Sequence, residues 1–220
     1  MCAERNLTRF AAVTYRHLRS LGGLFWIPPA VINGVMPLLS LAVLRRYVEA
    51  EVRYAEILQY TLWLFPFFSV WWSLFIMREY VESEGNEVLY LAGGRQKLTV
   101  LLPPFLLCLA DEALVLAVLS RAVPGVMKEF WRIGTMGFCY FGAVYFLLFL
   151  SGTVLCPLMV LLIYTLASVV ETDSRFPFFY VICTPLTAEV YRERYLAFLL
   201  LGLVCLVLGF FISRRYTKYR

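Results

Sequence analysis

The chain has 220 residues, 61% of them hydrophobic and only 16% charged, with a mean hydropathy of +0.75. Soluble domains carry about 25% charged residues, so a single water-soluble core is excluded and an integral membrane protein is indicated. The net charge of +5 comes largely from the two termini, and so speaks to membrane orientation rather than to nucleic-acid binding.

Cysteine placement argues against a disulfide framework or a metal site. Cys108, Cys139, Cys156 and Cys205 fall inside apolar runs, where a free thiol behaves as a small hydrophobe. Cys2 is terminal and Cys183 lies in a loop; there is no C-x-x-C, and His17 is the single histidine. No cleavable signal peptide is expected, because charged sequence precedes a first apolar run that is too long for one.

Residues 5–21 are expected to form an amphipathic helix lying on the membrane surface. Leu7, Phe10, Ala11, Thr14, Leu18 and Leu21 recur at helical spacing, with Arg5, Arg9, Arg16 and Arg19 on the other side. A basic face opposite an apolar one suits an anionic leaflet. His17 is read as a surface residue without a chemical role.

The first span is placed at residues 22–44. Pro28, Pro29 and Pro37 interrupt it, which is tolerated where neighbours satisfy the freed carbonyls. Its one strongly polar side chain, Asn33, is expected to bond across to another helix. A polar loop over 45–56 follows. The second span, 57–77, contains Trp63, Trp71, Trp72 and several phenylalanines, an aromatic density that suits a lipid or partner interface.

The stretch 78–97 is the longest charged segment between two apolar runs. It holds Glu79, Glu82, Glu84 and Glu87, with Arg78, Arg95 and Lys97 near its ends. It retains apolar Val88, Leu89 and Leu91, which a solvated linker would not need, and Gly93-Gly94 is expected to end its helix. The segment is read as a docking helix facing the cytoplasm.

The third span, 98–120, starts with Pro103-Pro104 and carries Asp111-Glu112 near mid-membrane. A carboxylate there costs a few kcal/mol (~3) even on gentle insertion scales. Adjacent residues diverge by about 100° on a helix, so both cannot face one partner. A wet cavity, protonation, a basic group on another subunit and a structural interhelix contact all remain open.

Residues 121–132 read as a second amphipathic connector, with Val126, Phe130 and Trp131 as its apolar members. The 38 residues from Ile133 to Val170 carry no charge. One helix of that length would run about 57 Å, nearly twice the hydrocarbon core. The run must fold into two spans, 134–150 and 154–170, turning at Ser151-Gly152-Thr153. A longer loop with Pro177, Pro185 and clustered aromatics precedes the sixth span, 195–213, and a basic tail closes the chain. With both termini inside, eleven Lys and Arg lie on the inner side and nine outside, and the basic ends set the orientation.

No phosphate loop, dinucleotide fingerprint, zinc-protease helix or nucleophile elbow is present. Catalytic residues and metal ligands are therefore not assigned, and an enzyme is not expected. The expected fold is an all-α integral membrane protein forming one domain over residues 1–220. It has six transmembrane helices, an N-terminal interfacial helix, and a cytoplasmic coupling helix between spans 2 and 3.

That arrangement, together with Glu82-Ser83-Glu84-Gly85-Asn86-Glu87-Val88-Leu89, resembles the permease subunits of ABC-2 type transporters. Those subunits follow their second span with an acidic coupling helix of the form E-x-E-x-G-T-x-E-x-L. Here Gly85 follows Glu84 directly, Glu87 comes two residues after it, and the closing turn reads Gly93-Gly94-Arg95. The resemblance implies that Glu79, Glu82, Glu84, Gly85, Glu87, Leu89 and Arg95 contact a separate ATPase subunit, which binds ATP and magnesium. This chain itself would hold no cofactor. Two permease chains, identical or not, would pair around a pathway formed largely by spans 1, 2 and 5. Asn33, Asp111 and Glu112 are the intramembrane polar candidates for that pathway. The implied setting is the inner or plasma membrane, with lipid as a partner, both termini cytoplasmic and export as the direction. Two other readings stand beside it: a proton-driven transporter or channel using Asp111 and Glu112, and a non-transporting scaffold.

Overall fold

The computed structural model describes residue 12 and residues 14–82, 94–170 and 186–216. All regular structure among them is helical. Helix α1 covers residues 14–20. Helix α2 is the broken span Gly22–Arg46, built from a 3-10 turn (Gly22–Trp26), an α turn (Ile27–Ala30), a π turn (Val31–Val35) and an α-helix (Met36–Arg46). Then come α3 (Ala50–Ser69), α4 (Trp71–Val81) and α5 (Gly94–Leu119). A 3-10 turn, Val126–Glu129, leads into α6 (Phe130–Ser151), followed by α7 (Leu155–Val170). Helix α8 opens at Ala188–Val190, passes a π turn at Tyr191–Tyr195 and continues as Leu196–Tyr216.

Among the described residues, five stretches are long and apolar enough to cross a membrane: Gly22–Arg46, Ala50–Arg78, Lys97–Leu119, Val126–Ser151 and Ala188–Arg214. The protein is thus a multi-pass helical membrane protein. The stretch expected as a fifth crossing is shorter. Helix α7 has 16 residues, about 24 Å at 1.5 Å per residue, against about 30 Å of hydrocarbon.

Several boundaries differ from those the hydropathy pattern suggests. The polar loop over 45–56 shrinks to the three residues 47–49. Arg45 and Arg46 complete the last turn of α2, and Glu51 sits in the first turn of α3. Both placements match the helix dipole, which lets each helix run beyond its apolar core. The second crossing is divided at Val70 (φ −96°, ψ −5°), four residues after Pro66, where Ser69 Oγ donates to Pro66 O at 2.9 Å. Gly94 begins α5, and the segment 83–93 that Gly93-Gly94 is expected to close lies outside the described residues. The connector over 121–132 is also shorter, because Phe130, Trp131 and Arg132 already belong to α6.

The most extensive helix contact joins α6 to α8, and glycine makes it possible. A Cβ on Gly142 would overlap the carbonyl of Gly202, and one on Gly202 would lie 2.8 Å from Cys139 Cα. At Gly209 it would come within 3.0 Å of Phe146 Cα. The two backbones therefore touch, as small residues permit between membrane helices. The outward side of α8, including Leu200, Val204 and Phe211, is left exposed, as suits a lipid-facing surface.

The broken start of α2 rests on α4. Pro28 and Pro29 lack the N–H groups that would serve the carbonyls of Leu24 and Phe25. Trp71 Nε1–H donates to Leu24 O at 3.2 Å and Trp72 Nε1–H to Phe25 O at 3.0 Å. The Trp72 ring also stacks on Phe25 with centroids 5.2 Å apart. Trp72 is consequently buried, and both indoles serve an internal helix break, while Trp71 stays half-buried.

Candidate functional site

Three polar groupings stand out, one inside the membrane body and one at each end.

The intramembrane grouping joins α2 to α5. Asn33 lies on the π turn Val31–Val35, four residues before Pro37. The missing Pro37 N–H frees the carbonyl of Asn33, and π turns arise where the regular hydrogen-bond ladder is interrupted. From there Asn33 Nδ2 donates to Asp111 Oδ2 at 2.8 Å. The polar partner of Asp111 is thus a neutral amide of the same chain. Glu112 points elsewhere. It is 0% exposed, and neither carboxylate oxygen has a hydrogen-bond partner among the described residues. It shares its side of α5 with buried Cys108, Val115 and Leu116, which belong to the same apolar cluster as Ile32, Met36 and Leu58. Cys108 Sγ–H donates to Phe68 O at 3.3 Å. Burying an unpaired carboxylate costs several kcal/mol (~3 or more), so Glu112 is a costly side chain to hold here.

The second grouping lies where α4 ends. Arg78 Nε pairs with Glu82 Oε2 at 3.2 Å, one helical turn apart. The other carboxylate oxygen, Glu82 Oε1, accepts from the backbone N–H of Val154 at 2.8 Å. That N–H opens the N-terminus of α7, where negative charge is favoured. The chain reverses here between α6 and α7 because Gly152 takes φ 71°, while Ser151 Oγ bonds both the N–H and the carbonyl of Thr153. Beside this corner, Tyr80 Oη lies 3.4 Å from His17 Nε2. His17 therefore joins α1 to α4 instead of standing alone on the surface. Lys97, in the first turn of α5, is fully buried with its Nζ 5.2 Å from the Phe149 ring centroid. Tyr145 Oη–H donates to Ser213 Oγ at 3.3 Å, bringing the end of α8 to the same side.

Of the residues assigned to coupling, Glu82 is placed with its side chain. Glu79 and Arg95 lie on α4 and α5 as backbone, while Glu84, Gly85, Glu87 and Leu89 are outside the described residues.

The third grouping, at the opposite end, was not anticipated. Glu129 and Arg132 are both 0% exposed and form an ion pair at 3.1 Å. Tyr54 Oη–H and the backbone N–H of Leu186 both donate to Glu129 Oε1, the latter at 2.9 Å. Arg132 lies over the Tyr195 ring, 5.1 Å from its centroid, and Thr135 shares a 2.8 Å hydrogen bond with Tyr191. One buried carboxylate thus holds together α3, the start of α6 and the chain entering α8. Its sequence signal is the i, i+3 pair Glu129 and Arg132 at the mouth of an apolar run, a spacing that sets both on one helix face.

Among the described residues no three His, Cys, Asp or Glu side chains converge on a metal-sized site. No family model, curated protein or solved structure matches the chain.

Proposed function

We propose that this chain is the membrane-spanning subunit of an ATP-driven transporter of the ABC-2 type, paired with a second permease chain and coupled to a separate ATPase. The observation that carries the reading is the double engagement of Glu82. It stands at the entrance to the acidic segment and grips both Arg78 on α4 and the backbone N–H of Val154, the residue just before α7. A partner that pushed on residues 83–93 would thereby move the end of α4, the α6–α7 corner and the start of α5 together. Stiff helices sharing hydrogen bonds are suited to pass such a displacement into a membrane body. In this reading α7 completes six crossings with local bilayer thinning, and both basic termini face the cytoplasm. ATP and magnesium bind the partner, and export follows the family resemblance.

The test is a mild-detergent pull-down of the tagged chain from its native host, with co-purifying chains identified and ATPase activity assayed. A stoichiometric partner carrying a phosphate loop is expected, and any second permease band would identify a heterodimer. Charge reversal at Glu84 and Glu87 should release the ATPase, whereas Glu82→Ala should leave it bound but lower transport. A lone, ATPase-free species that survives gentle solubilisation would overturn the proposal.

Glu112 favours a second reading, a proton-driven transporter or channel, because a fully buried carboxylate without a partner among the described residues marks ion pathways in membrane proteins. Transport by the chain alone in liposomes, driven by a pH gradient and lost in Glu112→Gln, would favour it over the first.

A further inference from the structure

We propose that the groove between α1 and the start of α2 binds one anionic phospholipid, with Arg19 on its phosphate. The chain leaves α1 through Gly22, whose φ of 55° suits glycine and turns the backbone into the 3-10 segment. Leu21 N–H donates to Leu18 O and Leu24 N–H to Leu21 O, at 3.3 and 3.1 Å, which closes the corner. An added Cβ at Gly22 or Gly23 would meet nothing within 4 Å, so the corner encloses space rather than packed atoms.

That space is an open groove of 510 Å³ lined by Tyr15, Leu18, Arg19, Gly22, Phe25 and Trp26. Small-molecule sites typically enclose about 300–1,000 Å³. Its walls are held from behind: Phe25 stacks on Trp72 and meets Trp26 edge-on, with centroids 5.3 Å apart. Leu18 packs on the apolar core. Its outer rim is aromatic and wide open, with Tyr15 63% and Trp26 67% exposed.

Chemistry and position select the occupant. The groove lies where α1 meets the first apolar span, the depth at which headgroups sit and at which Tyr and Trp settle. Arg19 is exposed and pairs with no carboxylate among the described residues. A guanidinium matches phosphate geometry with two parallel N–H donors, and Arg16, also exposed, adds a second positive charge nearby. The apolar walls would lie along glycerol and acyl carbon, which a free phosphate cannot use. A net anionic headgroup is favoured over a choline headgroup because choline would bring a third positive charge to Arg16 and Arg19.

The experiment is native mass spectrometry of the full chain released from detergent, titrated in parallel with phosphatidylglycerol and phosphatidylcholine. One phosphatidylglycerol is expected to bind roughly ten-fold more tightly than phosphatidylcholine, the size of a single charge-assisted contact. Arg19→Gln should erase that preference, while Arg121→Gln, an exposed arginine outside the groove, should keep it. Tryptophan quenching by brominated phosphatidylglycerol in nanodiscs should fall in Trp26→Phe. Equal binding of the two lipids, a preference that survives Arg19→Gln, or displacement by millimolar inorganic phosphate would overturn the proposal. Arg19→Gln is read only where it melts with the wild type, and otherwise the quenching comparison decides.

Discussion

Trp72 donates its indole N–H to the carbonyl of Phe25 at 3.0 Å, the carbonyl four residues ahead of Pro29. Trp71 does the same for Leu24, four residues ahead of Pro28. Two prolines remove two donors from α2, and two consecutive tryptophans on α4 supply two replacements. In an apolar medium this matters more than in water, because nothing else is present to satisfy the freed groups. The break at Pro28-Pro29 and the aromatic crowding of the second span are thus two halves of one hydrogen-bond account.

Trp72→Phe keeps the stacked ring but strands the Phe25 carbonyl. The expected cost is about 1–3 kcal/mol, read as a lower unfolding temperature in detergent. Adding Pro29→Ala should recover part of it, since an N–H returns to the helix at the right spacing. Strict additivity of the two substitutions would show that the carbonyl is not the coupled group.

The buried pair at the opposite end should be sensitive to loss of one partner. Arg132→Ala leaves Glu129 uncompensated among the hydroxyl of Tyr54 and the N–H of Leu186, and about 3–5 kcal/mol is expected. Replacing both charges together by Leu and Met should cost less than Arg132→Ala alone, because no orphan charge is then buried. Unfolding of the three variants side by side orders them.

Gly142→Ala drives a methyl into the carbonyl of Gly202 and must separate α6 from α8. Overpacking of this kind typically costs about 1–3 kcal/mol. Gly134, on the same helix, has nothing within 4 Å of an added Cβ. Gly134→Ala should be neutral or stabilising by up to about 1 kcal/mol from helix propensity. Equal effects at the two positions would contradict the close backbone approach.

Asn33→Leu removes the amide that Asp111 accepts from. A loss of about 1–3 kcal/mol is expected, partly restored by Asp111→Leu in the same chain, because replacing both members by apolar groups leaves nothing unpaired. Thermal unfolding of the single and double variants measures the coupling. Substitution of Asp111 with no effect on the Asn33 variant would place the amide's partner elsewhere.

Much of the architecture was written along the chain. Long apolar runs dictate membrane helices because the backbone must satisfy itself in hydrocarbon. The uncharged 38 residues from Ile133 to Val170 had to reverse, and Ser151-Gly152-Thr153 was the one stretch with the chemistry to do it. Asn33 could be singled out as an interhelical donor because an amide in an apolar run has few other options. Hydropathy alone could not say where helices end, since a helix continues into water as readily as its caps and dipole allow; hence α3 begins at Ala50 and α6 at Phe130. Nor could it pair residues distant in sequence. Asp111 finding Asn33, Trp71 and Trp72 finding two proline-freed carbonyls, and Glu129 gathering Tyr54, Arg132 and Leu186 all depend on which helix faces lie together. That choice is made by packing, at contacts such as Gly142 against Gly202, where backbones meet because no side chain intervenes. Composition determined that this chain lives in a membrane, and the tertiary structure decided which of its few polar groups are satisfied and left Glu112 without a partner among the described residues.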